Sequence, residues 1–172
     1  MESQDNIHSV ENHPIKRPNF LTVLCILSFV YIGFSLFFSF LSLINGPMSE
    51  EQLLEQKVEL SKSVDEMRSL EMESLAVLME KITRMSEALN ERFYESSLLS
   101  IAVFFIGLIG VLFLWKSRKV GIHLYIIYSL LSVLEVYFFV NPQDIPTVVI
   151  IWNFLFSGLF VFLYSRNFKS LH

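Results

Sequence analysis

The sequence holds one cysteine, Cys25, in 172 residues. That excludes an intramolecular disulfide and a cysteine-built zinc site. Glycine and proline are both missing from positions 48–106, so no local breaker marks where that stretch turns. Lys and Arg are absent from four long apolar runs, 20–44, 98–115, 120–140 and 147–164. Net positive charge is missing too: 13 basic side chains face 17 acidic ones, a balance of −4. Nucleic-acid binding through a basic surface has no support in that balance. No H-E-x-x-H, no His-rich box and no Ser–Lys pair inside the apolar runs is found, so the residues that membrane hydrolases and transferases use are not visible. His8, His13 and His172 lie near the chain ends and His123 at one end of an apolar run, none with metal-ligand spacing. The expectation is a chain that is not an enzyme and takes no cofactor.

What the sequence has in quantity is apolar mass. It is 53% hydrophobic with 17 Phe, and its mean hydropathy is +0.52. Only 17% of residues are charged, against about 25% in soluble domains. Runs of about 18 or more nearly uncharged residues read as membrane spans, and lipid cannot satisfy free backbone amides, so such runs are helices. The sequence therefore predicts an all-α integral membrane protein. It has four transmembrane helices and an extracytoplasmic helical hairpin inserted between the first and second. The expected division is a flexible cytoplasmic tail (1–19), span 1 (20–44), an acidic helical domain (45–97), span 2 (98–115), span 3 (120–140), span 4 (147–164) and a second cytoplasmic tail (165–172). The run 20–44 exceeds the h-region of a signal peptide and has no A-x-A-like site after it, so an uncleaved span is expected.

Basic residues near the span ends set the orientation. Lys16 and Arg17 precede span 1, Lys116, Arg118 and Lys119 separate spans 2 and 3, and Arg166 and Lys169 follow span 4. With four spans all of these fall on one side. The opposite loop, 141–146, has neither Lys nor Arg. Both termini are expected to be cytoplasmic. The prolines of that loop, Pro142 and Pro146, stop one helix, and Asp144 suits the positive N-terminus of the next.

The polar segment 45–97 carries twelve acidic and six basic side chains, a net of −6. Leu75, Leu78, Ile82, Met85, Leu89 and Phe93 recur at steps of three and four, an amphipathic helical stripe and the candidate partner face. Leu53, Leu60, Val64 and Met67 make a poorer stripe. Capping boxes fit Ser49 with Gln52 and Ser63 with Glu66. One straight helix over 49–95 would be roughly 70 Å long, which two neighbouring spans about 8–10 Å apart cannot accommodate. The chain must reverse, near Glu71 within Ser69–Ser74 or, as a second choice, at Ser61–Ser63, and the second arm is expected to run on into span 2, with a start one turn before 98 as the alternative. A three-helix arrangement and a long rod between separated spans are the alternatives. Met67, Met72, Met79 and Met85 suit an adaptable contact surface, though methionine at helical spacing more often fills a core.

Polar and small residues form one stripe on each span: Cys25, Ser28, Ser35, Ser39 and Ser42; Ser100 and Gly107; Gly121, Tyr125, Tyr128, Ser132 and Glu135; Asn153, Ser157 and Tyr164. Small residues allow close helix approach in lipid, which predicts a bundle with these stripes inward. Glu135 is the one carboxyl well inside a run. It lies about 8 Å from the end of span 3, and Asn153 about 9 Å below the matching end of span 4. Glu135, Asn153, Ser39 and Ser100 are therefore a candidate intramembrane polar cluster. Such a carboxyl is costly unless paired or hydrated. It serves either as a structural hydrogen-bonding group or as a proton or solute site.

The start of span 1, Arg17-Pro18-Asn19-Phe20-Leu21-Thr22-Val23-Leu24-Cys25-Ile26-Leu27-Ser28-Phe29, resembles that of small uncharacterised multi-span membrane proteins of Bacteroidota. The resemblance implies a bacterial cytoplasmic (inner) membrane with a periplasmic outer side, and no activity. Two functions are then expected ahead of an enzyme. One is assembly, with the lipid bilayer as solvent, through the outer domain with a second copy or a membrane or periplasmic protein. The other is a small transporter, channel or proton-coupled subunit using Glu135.

Overall fold

The computed structural model describes residues 19–168 and 171. Residues 1–18 of the expected N-terminal tail, with Lys16 and Arg17, lie outside the described residues, as do Lys169, Ser170 and His172; Asn19, expected in that tail, opens the first helix. Among those described there are six α-helices: α1 (Asn19–Asn45), α2 (Glu50–Ser69), α3 (Glu73–Glu91), α4 (Phe93–Trp115), α5 (Val120–Leu134) and α6 (Thr147–Arg166). A 3₁₀ turn, Glu135–Phe138, extends α5. Four helical segments, α1, α4, α5 with its 3₁₀ extension, and α6, are long and apolar enough to cross a membrane.

These four pack in a chain of neighbours, α1 on α4, α4 on α5 and α5 on α6. Glycine sets the α4–α5 distance. A Cβ on Gly121 would lie 2.5 Å from the Leu114 backbone nitrogen, and one on Gly107 2.8 Å from the Tyr128 ring. Lys116, Arg118, Lys119 and Arg166 gather at one end of the bundle, here the basic end. The hairpin α2–α3 stands at the other.

α2 starts at a complete capping box: the Ser49 hydroxyl accepts from the Gln52 amide at 3.2 Å, and the Ser49 amide donates to Gln52 Oε1 at 3.0 Å. Ser63 does not open a helix. α2 runs through it, and its hydroxyl donates to the Glu59 carbonyl at 3.1 Å. A helical serine can satisfy itself on its own preceding turn, so the second candidate break is no break. The chain reverses at Leu70–Met72, where the Met72 amide reaches the Met67 carbonyl and the Glu71 amide that of Arg68. That pair of bonds is a Schellman C-cap, which normally uses glycine in the left-handed conformation. Here Glu71 takes it, at φ +59°.

The two arms meet through buried Val64 and Ala76 and through Arg68–Glu80 at 2.6 Å and Lys57–Glu87 at 3.2 Å. α3 passes into α4 with a one-residue break at Arg92 (φ −113°, ψ 39°). α4 therefore begins at Phe93, five residues before the expected start of span 2. Its first turn contains Glu95, which the apolar run did not include. Two contacts tie α3 across the bundle: Arg84 Nε donates to Asp144 Oδ1 at 2.6 Å, and the Met48 amide donates to Asn90 Oδ1 at 2.8 Å. Asp144 thus serves the hairpin, with Arg84 as its recorded partner.

Candidate functional site

The polar stripes expected to face inward do so unequally. At the basic end they are sealed. Cys25, Ser28, Gly121, Tyr125, Tyr128, Gly107 and Tyr164 are all buried. The Ser28 and Tyr164 hydroxyls lie 2.9 Å apart, with the Tyr125 hydroxyl 3.5 Å from Ser28. The Tyr125 and Tyr164 rings approach to 4.7 Å between centroids. Towards the hairpin the same stripes open. Ser35, Ser39, Ser100, Ser132, Glu135 and Ser157 are half-buried, and Ser42 and Asn153 are exposed.

A groove of about 720 Å³ occupies that open end. Its floor and sides include Ser39 and Ser42 of α1, Ser96, Ser97 and Ser100 of α4, and Glu135 at the first residue of the 3₁₀ turn. Val149 of α6 closes one side. Its roof is α3, through Ile82, Met85, Ser86, Leu89 and Asn90, with Phe93 at the start of α4. Helical spacing explains the roof: 82, 85, 89 and 93 fall on one face, while Glu80 and Glu87 point to the basic residues of α2. Leu78 is half-buried and Leu75 remains 41% exposed near the turn. Four of the six stripe residues thus face a cavity of the chain itself.

The structure brings Glu135, Ser39 and Ser100 to one cavity and leaves Asn153 outside its lining. The Asn153 amide donates to the Val149 carbonyl of its own helix at 2.9 Å. The reason lies in the setting of α6. Asn153 shares a helical face with Ser157, whose hydroxyl donates to the Ser129 carbonyl at 3.1 Å, and with Tyr164 on Ser28. α6 is held at these two points and again at its start, where Ile145 and Pro146 are buried and Val149 borders the groove; α1 packs on α4 rather than on α6, so Asn153, between those holds, is exposed. Tyr164 is its one fully buried side chain.

Glu135 Oε2 is buried and, among the described residues, has no hydrogen-bond partner. Charged groups at the groove rim are already engaged. Arg84 holds Asp144, and Arg92 holds Glu95 at 2.5 Å and lies 5.4 Å from the Phe139 ring centroid. Among the described residues no three His, Cys, Asp or Glu side chains converge to hold a metal. Sequence reasoning found Glu135 and the α3 stripe separately. It missed that they line the same space, because the tilt of α3 is set by Arg84–Asp144 and Asn90–Met48, contacts between residues 42 or more positions apart. No protein-family model, curated protein or solved structure matches the chain.

Proposed function

We propose that the chain is a non-enzymatic integral membrane protein that acts by binding a partner in the groove between its extracytoplasmic hairpin and the span ends. Both termini face the cytoplasm. The basic end carries Lys116, Arg118, Lys119 and Arg166, while the loop 141–146 at the opposite end has no Lys or Arg, and that bias supports the orientation. The resemblance of the first span favours a bacterial inner membrane.

One observation carries the binding reading: Ile82, Met85, Leu89 and Phe93 share a single cavity with Ser39, Ser100 and Glu135. Apolar walls with a few convergent polar groups, in a volume inside the roughly 300–1,000 Å³ range of small-molecule sites, are the usual make-up of a binding pocket. A small transporter or proton-coupled subunit is the second reading, favoured by the unpartnered Glu135 oxygen. The sealed tyrosine layer beneath the groove argues against a continuous path.

Native mass spectrometry of the full chain in nanodiscs tests the binding reading. The expected result is a stoichiometric adduct on the 20.0 kDa chain. It is retained by Leu54→Glu, on the exposed face of α2, and lost from Leu89→Glu. An adduct that survives Leu89→Glu, or no adduct at all, overturns the reading.

A further inference from the structure

The groove raises a question of charge that the chain itself leaves unanswered. A carboxyl this far inside an apolar helix needs a proton or a cationic partner. Among the described residues Oε2 of Glu135 has no hydrogen-bond donor and the carboxyl has no ion-pair partner, while the residue lines the groove. The four apolar runs contain no Lys or Arg, so a second copy packed against these helices could not bring one. The two arginines at the rim are occupied by Asp144 and by Glu95 and Phe139. A divalent metal would want six or more oxygens, and one carboxyl with hydroxyls is a poor set for it. The surroundings also choose among organic cations. Phe38, Ile82, Met85, Leu89, Phe93 and Phe139 make most of the wall apolar, which a small hydrophilic cation would not use.

A path for an apolar chain is present as well. Asn153 lies on the face of α6 that carries Ser157 and Tyr164 yet is exposed, because α1 packs on α4 and not on α6 at that level. On the facing side, Phe34 and Phe38 of α1 are 61% and 59% exposed, and neither Gly33 nor Gly158 has an atom within 4 Å of where a Cβ would sit. The groove therefore opens sideways between α1 and α6, towards what would be the acyl region of a bilayer.

We propose that the groove binds a membrane amphiphile with a primary ammonium head. The ammonium sits on Glu135, its remaining N–H groups reach the hydroxyls of Ser39 and Ser100, and its chain leaves between α1 and α6 past Asn153. This rests on the groove being the binding site, and it names the class of ligand. An ammonium supplies three donors to a site that offers acceptors, and its positive charge is the one the carboxylate lacks.

The test uses the full chain in phosphatidylcholine nanodiscs and a twelve-carbon primary amine carrying a photoreactive diazirine in its chain. Cross-links are mapped by peptide mass spectrometry, with unlabelled dodecylamine and dodecanol as competitors. Labelling is expected on 34–42 of α1, 82–93 above the groove and 149–156 of α6, with dodecylamine competing about tenfold to a hundredfold better than dodecanol, the range of a charge-assisted hydrogen bond. Glu135→Gln should lose that preference and Glu135→Asp should keep part of it. Ser39→Trp, which fills the groove and leaves the Glu135 carboxyl unchanged in sequence, should abolish labelling and controls for a Glu135 variant that fails to fold. Labelling in the groove with equal competition by amine and alcohol overturns the ammonium assignment and leaves the groove as a binding site. Labelling spread over all lipid-facing helices, undiminished in Ser39→Trp, overturns both. A co-purifying protein whose lysine cross-links to Glu135 also overturns the amphiphile.

Discussion

Ser28 and Tyr164 stand 136 positions apart in the chain, and their hydroxyls meet at 2.9 Å in a fully buried layer. This contact joins the first apolar helix to the last, which otherwise rests on α5. Ser28→Ala would leave the Tyr164 hydroxyl short of that partner, and Tyr164→Phe would do the converse. Inter-helix hydrogen bonds of this kind average about 0.6 kcal/mol and reach about 1.7. A double-mutant cycle on unfolding in mixed micelles should give a coupling in that range. Strict additivity of the two changes would show that the bond contributes nothing.

The glycines sort into two groups with opposite expectations. Gly121→Ala would force a Cβ against the Leu114 and Gly110 backbones, which cannot move aside as a side chain can. A cost of about 1–3 kcal/mol is expected, read as a lowered melting temperature. Gly33→Ala and Gly158→Ala meet nothing within 4 Å and should be neutral or stabilising by up to about 1 kcal/mol, since alanine is the better helix former. Equal effects at all three positions would contradict the close α4–α5 approach.

Glu71 holds a left-handed conformation that costs a side-chain-bearing residue about 1–2 kcal/mol. Glu71→Gly removes that strain, less about 0.5–1 kcal/mol for the freer unfolded chain. Hydrogen exchange at the end of α2 should slow, with a net gain of about 0.5–1 kcal/mol. The same holds for Ser117, at φ +56° beyond α4, where the Arg118 amide meets the Phe113 carbonyl and the Ser117 amide that of Leu114. Faster exchange in Glu71→Gly would mean that the turn has another geometry.

Sidedness can be read from cysteine labelling in intact cells. Cys25 is buried and should give little background. A membrane-impermeant maleimide should label Ser61→Cys on α2 directly and Ser117→Cys only after permeabilisation. The reverse pattern would invert the orientation.

These positions also show what the sequence could disclose. The four apolar helices were legible because their runs are long and empty of Lys and Arg, and the need for a reversal near Glu71 followed from length alone. The turn itself was obscure because a glutamate occupies the place where glycine would have marked it. Ser63 looked like a cap because capping depends on backbone already being non-helical, which three residues of sequence do not reveal. A start of span 2 about one turn before 98 was open from the sequence, and what placed it at Phe93 was obscured by Glu95, a charge that a first helical turn tolerates near its positive N-terminus. Asn153 was the largest displacement. Its helical face was right, but that face meets no opposing helix at Asn153, because α1 packs on α4 rather than on α6, and no spacing rule encodes that.

The tyrosine layer under the groove has a consequence for equilibrium. Ser28, Tyr125, Tyr128 and Tyr164 are buried below the groove and outside its lining; if the groove binds a ligand as proposed, that closed layer would leave it open to one side of a bilayer alone. Its occupancy would follow the chemical potential of a ligand on that side and be indifferent to the gradient across the membrane. The proposed binding role needs no such gradient; to move anything across, the chain would first have to take apart the buried layer that joins its first apolar helix to its last.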